Sequence, residues 1–297
     1  MKAVLVGLGS MGFGMGQSCL RAGIATQGHD VVVARVAQFQ SEGGDTGTPE
    51  TFIPEADAVL VVVLNAAQAE AVLFGENGIV PMLRKGAVVL GCATVPPDFA
   101  RDMEARCREY GVHYLDSPIS GGAVKAAAGQ LSIMASGTSE AFAAARPFLD
   151  ACAETVFELG DAAGAGSAMK AVNQLLAGVH IATMAEALTF GMTQGVKPAD
   201  FVDVISKCAG TSWMLENRAP HIVAGDYTPH SSVNIWPKDL GIVTEIAKSV
   251  GFDAPIAHTA LAQFQAAAQM GLGDEDDAAV AKVYAKQAGV KLPEGRE

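Results

Sequence analysis

The sequence predicts an α/β protein: a doubly wound, mostly parallel sheet with crossover helices, then an all-α domain, the two joined by one long interdomain helix. Two observations carry this. Up to Gly160, short β-branched runs alternate with longer helix-compatible segments, the pattern of strand, crossover helix and parallel strand. Beyond Gly160 the strand-like runs largely cease and Ala-rich helical segments take over, with Pro198, Pro220, Pro229, Pro237 and Pro255 marking helix starts or loops. The change falls between Asp161 and Gly166, which divides the chain into a nucleotide-type domain, 1–163, and a helical domain, 164–297.

Taken in order, AVLV (Ala3 to Val6), AVLVVVL (Ala58 to Leu64), AVVL (Ala87 to Leu90) and VHYLD (Val112 to Asp116) read as buried parallel strands. QLSIMASG (Gln130 to Gly137) adds a further strand and EAFAAARPFLDAC (Glu140 to Cys152) a closing helix. The opening MKAVLVGLGSMG reads as a strand and turn rather than a signal peptide, because glycines interrupt the apolar run after a few residues. The run from Ala162 to Ala185 raises the question of a membrane span. It contains Lys170, Asn173, Gln174 and His180 and has no basic flank, so a buried helix is expected. The tail after Gly289 is expected to be loose.

Composition excludes some classes of partner. At 297 residues, 50% hydrophobic and 18% charged, the chain can bury a large core. Its formal net charge of -12 and its lack of a Lys/Arg cluster disfavour nucleic acid and anionic membrane surfaces. The five cysteines are scattered without CxxC spacing and the six histidines are dispersed, so no metal site is expected. A reducing, cytoplasmic setting fits.

The first chemical motif is Gly7-Leu8-Gly9-Ser10-Met11-Gly12, which follows an apolar strand and runs into a helix-compatible segment. Gly7 suits a tight turn, Gly9 a close backbone approach to a pyrophosphate, and Gly12 helix-to-strand packing. The helix N-terminus adds N–H groups and partial positive charge for phosphates. About 20 residues beyond such a fingerprint an acid meets the cofactor ribose, and Asp30 lies near that spacing, which favours NAD over NADP. VVVAR could instead be the second strand, placing Arg35 where it would suit a 2'-phosphate; a solvated turn aspartate is the third reading.

The second motif is Asp116-Ser-Pro-Ile-Ser120-Gly121-Gly122, just past a strand, at the carboxyl edge where α/β sheets bind ligands. A serine hydroxyl and the N–H groups of two glycines can hold a carboxylate without adding positive charge. The third is Lys170, the only formal charge between Ala162 and Ala185, with Asn173 and Gln174 at i+3 and i+4 on the same helical face. Burial among Ala, Leu and Val disfavours the charged ammonium, as proton transfer to or from an alcohol oxygen requires. The competing reading is a snorkelling lysine capped by amides.

These motifs, in this order, resemble the β-hydroxyacid dehydrogenase family over nearly the whole chain. The resemblance rests on GLGSMG at Gly7, CATVPP at Cys92, DSPISGGAVKAAAGQLSIMASG at Asp116, GAGSAMKAVNQ at Gly164 and PKDLGIV at Pro237. It implies a Rossmann domain followed by a helical domain, with Lys170 as catalytic general acid/base on the connecting helix. It implies that Ser120, Gly121 and Gly122 bind the substrate carboxylate, and that Asn173 and Gln174 orient the substrate. The glycine loop, Asp30, Leu64, Asn65, Thr94 and Lys238 are implied to meet the cofactor. Two departures stand out: the family often pairs asparagines after the lysine, where this chain has Asn173 then Gln174, and its proline after the third strand is replaced here by Asn65.

LNAAQAEAVLFGENG (Leu64 to Gly78), QLLAGVHIA (Gln174 to Ala182), AGTSWMLENRAPHIVAGDYTP (Ala209 to Pro229) and GDEDDAAV (Gly273 to Val280) resemble the branch that oxidises the C2 hydroxyl of a four-carbon sugar acid such as L-threonate to the 2-oxo acid with NAD. Trp213 and Asn217, one helical turn apart, would then face the substrate tail; a packing tryptophan is the plainer reading. Other readings are a 3-hydroxyisobutyrate dehydrogenase, an NADPH-dependent reductase of tartronate or succinic semialdehyde, and, from another class, a noncatalytic NAD-binding sensor. The family resemblance also implies a homo-dimer or homo-tetramer.

Overall fold

The computed structural model describes residues 1–294. By compactness the chain divides into two units, Met1–Lys170 and Ala171 onward.

The first unit is built on β1 (Lys2–Val6), α1 (Ser10–Arg21), β2 (Ala25–His29), α2 (Val33–Ser41), α3 (Pro49–Phe52), β3 (Ala58–Val61), α4 (Ala66–Phe74), β4 (Val88–Gly91), α5 (Pro97–Glu109) and β5 (His113–Asp116). All five strands are parallel, in the order β2-β1-β3-β4-β5. The register explains the β-branched runs. Leu5, Leu60, Leu90 and Leu115 form one row across the sheet and Val4, Val59, Val89 and Tyr114 the next. The leucine row packs with Met15, Phe39 and Phe148 on one face, and the other row packs with Leu73, Met103 and Cys107 on the opposite face. Both faces are thus dry, and each such leucine contributes about 1.5–3 kcal/mol by burial.

A second sheet follows: β6 (Ile119–Ser120), α6 (Gly122–Ala128), β7 (Leu131–Ala135), α7 (Ser139–Cys152) and β8 (Ala153–Glu158), in the order β6-β7-β8. Paired hydrogen bonds between Asp116 and Ser136 fasten β5 to it, at 3.0 and 2.8 Å.

Two local expectations change. VVVAR is not the second strand: β2 is ATQGH, Val31 is 98% exposed, and the chain bends into α2. The third strand ends at Val61 rather than Leu64, because Val62 and Val63 turn over Gly7; a β-carbon at Gly7 would lie 2.2 Å from the Val62 carbonyl oxygen.

The helix α8 (Ala165–Thr193) begins in the first unit and continues into the second, which adds α9 (Pro198–Ile205), α10 (Trp213–Ala224), α11 (Ile235–Ser249), α12 (Pro255–Ala267) and α13 (Ala281–Ala288). The core of the second unit gathers Ile181, Leu188, Leu215, Ile222, Leu240 and Phe264, with Trp236 stacked on Phe264 at 5.5 Å. By length and composition α8 could cross a membrane, with a mean hydropathy of 1.4. Its buried polar side chains are engaged within the protein: Ser167 bonds Asp116 and Gln174 bonds Asp239.

Candidate active site

The loops at the carboxyl ends of β1 to β5 emerge on one edge of the parallel sheet, with the switch in strand order between β1 and β3, where such sheets take ligands. Gly7 leaves β1 with φ +98°, a conformation that favours glycine. A β-carbon at Gly12 would lie 1.8 Å from the Gly7 carbonyl oxygen, so α1 can start this close to the strand only with glycine there. Gly9 differs: it is the N-cap of α1, without a side-chain cap, and a β-carbon there would meet nothing within 4 Å. Protein packing therefore accounts for Gly7 and Gly12, and leaves Gly9 as an open approach to the helix N-terminus. No acid stands in the first turn of α1. A pyrophosphate fits this cradle.

Asp30 follows β2 directly, with its side chain 6% exposed. Its Oδ2 accepts from the Leu8 N–H at 2.7 Å and its Oδ1 from the Val32 N–H at 2.8 Å. The carboxylate is thereby locked against the glycine loop. Arg35, the rival candidate, stands on α2 beside it, with its guanidinium 3.6 Å from the same carboxylate. Ser10 is exposed and Met11 half-buried at the start of α1.

Leu64 is largely exposed, and Asn65 caps α4: its side chain accepts from the Gln68 N–H at 2.9 Å while Gln68 Oε1 accepts from the Leu64 N–H at 2.9 Å. That reciprocal cap is the physical account of asparagine where the family has proline. Thr94 is half-buried in the loop after β4. Nearby Cys92 is buried, and burial pushes its thiol up to about 12, which removes it as a nucleophile.

Ser120 ends β6, and Gly121 and Gly122 follow with φ of +137° and +80°, so the turn into α6 depends on glycine. Asp116 is fully buried. It accepts from Ser167 Oγ at 2.7 Å, the Ser167 N–H at 2.8 Å and the Gly164 N–H at 2.9 Å, while Ser136 Oγ accepts from the Gly166 N–H at 3.0 Å. The end of β5 therefore supplies the cap for the first turn of α8 across about fifty residues of chain. Burial pushes the Asp116 carboxyl above its ordinary range, against the pull of these donors. One turn along α8, Lys170 is 8% exposed and its Nζ donates to the Ile119 carbonyl oxygen at 2.9 Å. The ammonium lies inside the protein, on the residue preceding Ser120, and does not snorkel.

In the second unit, Asn173 Nδ2 donates to Gln174 Oε1 at 2.9 Å and Gln174 Nε2 donates to Asp239, which also pairs with Lys238. Trp213 is 60% exposed at the start of α10 and Asn217 is exposed one turn on. Asp116 and Asp239 stand within the DSPISGG and PKDLGIV motifs with no local pattern that marks their partners. No spacing rule joins residue 116 to 167, or 174 to 239. Among the described residues no group of three or more His, Cys, Asp or Glu is placed to hold a metal ion.

The doubly wound sheet and its glycine cradle define a dinucleotide-binding domain. Residues 2–160 match the NAD binding domain of 6-phosphogluconate dehydrogenase, and residues 164–284 match the NAD-binding domain of NADP-dependent 3-hydroxyisobutyrate dehydrogenase. An L-threonate dehydrogenase of Cupriavidus necator is 46% identical over 97% of each chain, and one of Escherichia coli K12 is 44% identical over 97% of this chain and 95% of its own. A crystal structure of 3-hydroxyisobutyrate dehydrogenase from Salmonella typhimurium is 43% identical and superposes with a TM-score of 0.89 over 95% of this chain and 99% of its own. The chain belongs to the β-hydroxyacid dehydrogenase family, the 3-hydroxyisobutyrate dehydrogenase-like oxidoreductases that act on CH–OH groups with NAD(P).

Proposed function

We propose that the chain oxidises the C2 hydroxyl of a four-carbon sugar acid such as L-threonate to the 2-oxo acid, with NAD as the acceptor and Lys170 as general acid/base. The observation that carries the reading is the placement of Lys170 Nζ on the Ile119 carbonyl, next to the Ser120-Gly121-Gly122 turn. When bound, NAD would supply the acceptor for the hydride that leaves the substrate carbon. The Ser120 hydroxyl and the Gly121 and Gly122 N–H groups hold the substrate carboxylate, and Lys170 Nζ removes the hydroxyl proton as the carbonyl forms. Asn173 and Gln174 orient the substrate; Trp213 and Asn217 face its tail. Gly7 to Gly12, Leu64, Asn65, Thr94 and Lys238 hold the cofactor.

Asp30 supports NAD. Its carboxylate is fixed against the glycine loop at the end of the second strand, and an acid at that point favours a ribose diol, which can donate to it, over a 2'-phosphate of like charge. The L-threonate assignment is supported by the names of the relatives from Cupriavidus necator and Escherichia coli. The name of the Salmonella structure supports 3-hydroxyisobutyrate as the second reading. Residues 164–297 would form the substrate and assembly domain. Exposed Val172, Leu176 and Phe190 on α8, with Phe252 and Ile256 elsewhere in the same unit, support pairing with a second copy. The five free cysteines suit a reducing cytoplasm.

The test is NADH or NADPH formation with L-threonate, D-erythronate, D-glycerate, 3-hydroxyisobutyrate and L-serine, beside Lys170→Ala. Turnover of a four-carbon acid with NAD, lost in the variant while NAD binding persists, is expected. Turnover of 3-hydroxyisobutyrate alone overturns the substrate; undiminished turnover by Lys170→Ala overturns the mechanism.

A further inference from the structure

Four side chains of the second unit form one continuous chain: Asn173, Gln174, Asp239 and Lys238. Its middle is buried, with Gln174 at 7% and Asp239 at 3% exposure. Helices α8 and α11 come close enough for this because Gly178 faces α11. A β-carbon there would meet the Trp236 ring at 2.9 Å and both Leu240 methyls at 3.0 Å.

The chain has a direction. An ionised carboxylate only accepts, so Gln174 must turn its NH2 toward Asp239. Its Oε1 is then the group left for Asn173, and an amide can approach an acceptor only with its own NH2. The carbonyl Oδ1 of Asn173 is therefore turned away from Gln174. Without the carboxylate at 239, each amide could flip through half a turn at little steric cost, since amide oxygen and nitrogen are nearly the same size.

We propose that Asp239 is a positioning residue that fixes the polarity of the Asn173 amide, so that Asn173 presents an acceptor oxygen and selects a substrate carrying a hydroxyl donor. The substrate half of this rests on the hydroxy-acid reading above. Asp239 acts through Gln174 and needs no contact with the substrate. The arrangement also accounts for glutamine at 174: its reach joins an amide on α8 to a carboxylate on α11. A polyhydroxy acid gains from an acceptor here; an analogue with hydrogen in place of that hydroxyl leaves the acceptor unpaired.

The test has two arms. Neutron diffraction from deuterium-exchanged crystals of the full chain locates the amide deuterons without any substrate. The expected map has the Asn173 ND2 on Gln174 Oε1 and the Gln174 ND2 on Asp239; Asn173 Oδ1 on the Gln174 amide overturns the proposal. The second arm measures kcat and KM for the hydroxy acid and for NAD in Asp239→Asn, Gln174→Glu and the double variant. Asp239→Asn frees the polarity, and Gln174→Glu sets two carboxylates against each other. In the double variant the asparagine amide donates to the new glutamate, which still accepts from Asn173, so the direction at Asn173 returns.

The expected result is a rise of about tenfold in KM for the hydroxy acid in Asp239→Asn, a smaller rise in Gln174→Glu, which still gives Asn173 an acceptor, little change in KM for NAD, and recovery to within about threefold of wild type in the double variant. No recovery, in a protein whose wild type oxidises the acid, overturns the proposal, because a role confined to pairing Lys238 is not restored by Gln174→Glu. If wild type oxidises none of the acids tested while the map shows the expected polarity, the hydroxy-acid reading and the substrate selection built on it fall, and the positioning by Asp239 stands.

Discussion

Replacing Asp116 tests whether the loop that precedes Ser120 sets the position of Lys170. Asp116→Ala strips the acceptor from two backbone N–H groups, those of Gly164 and Ser167, which stand 2.9 and 2.8 Å from the carboxylate and cannot rotate to another partner. Ser167 Oγ, at 2.7 Å, loses its acceptor as well but can turn. A buried donor left unsatisfied costs about 1–3 kcal/mol, so two give roughly 2–6 kcal/mol. Part is offset, because burial has already raised the Asp116 carboxyl and its removal relieves a desolvated charge. A net local loss of about 2–4 kcal/mol remains. Asp116→Asn keeps one acceptor oxygen but turns an NH2 onto the other donors, and falls between Ala and wild type.

Tryptophan fluorescence would miss this, since Trp213 and Trp236 both lie beyond residue 170. Amide hydrogen exchange resolves it: protection at Gly164 to Lys170 should fall by roughly 30- to 700-fold in Asp116→Ala. The turnover number should fall with it while NAD affinity holds. Exchange and turnover within twofold of wild type in both variants would refute the reasoning. The sign with pH follows from the raised carboxyl: its contribution to stability is fully present below the ordinary aspartate range and is lost as pH rises through its folded value. Asp116→Asn should therefore lose less, relative to wild type, at pH 7 than at pH 4.

Asp30→Ser should free Arg35 from its carboxylate partner and shift preference toward NADP, by tenfold or more in the ratio of kcat/KM values; an unchanged ratio would remove Asp30 from cofactor selection. His29, half-buried at the end of β2, has its pKa lowered from 6.5 by burial, so the stability it confers is present above pH 6.5 and lost as pH falls through its folded value. The drop in Tm between pH 8 and pH 5 should thus be smaller in His29→Gln than in wild type, and an equal drop would show that His29 does not titrate within the fold.

The sheet was legible because its strands are buried on both faces, which forces runs such as AVLV and AVVL that no amphipathic helix would show. The glycine cradle was legible because each glycine answers a separate steric demand. β2 was harder: ATQGH has no apolar run, because Gly28 must pass Phe39 and Leu8, where a β-carbon would sit 2.7 and 3.1 Å away. VVVAR looked more strand-like and is not one. β8, AETVFE, carries a weak sequence signal because it is largely exposed and lies at the edge of its sheet. Within the candidate site, side chains on one local motif were readable by spacing. The two buried carboxylates were not, because Asp116 works on residue 167 and Asp239 on residue 174, and a sequence carries no register between a loop and a helix it meets only in the folded state.

The long runs that make the second half resemble the sugar-acid branch need a separate reading, since two of them build architecture. Asp277, fully buried, accepts from Arg218 Nε at 2.6 Å and from Trp236 Nε1 at 2.9 Å; Asp276 accepts from His221 Nδ1 at 3.0 Å and from the His230 N–H at 2.9 Å. GDEDDAAV and the segment from Ala209 to Pro229 therefore hold each other, and hold α11 by Trp236, two residues before Lys238. Shared residues there report a shared fold more than a shared substrate. Trp213 is different: it belongs to the same run, yet is 60% exposed and serves none of these contacts. Trp213→Ala should leave stability within about 0.5 kcal/mol of wild type. If Trp213 faces the substrate tail, the same change should raise KM for a four-carbon acid about tenfold, or 1.4 kcal/mol, and leave KM for a three-carbon acid nearly unchanged. Equal effects on both acids, or none, would remove Trp213 from substrate recognition and leave the branch resemblance resting on architecture alone.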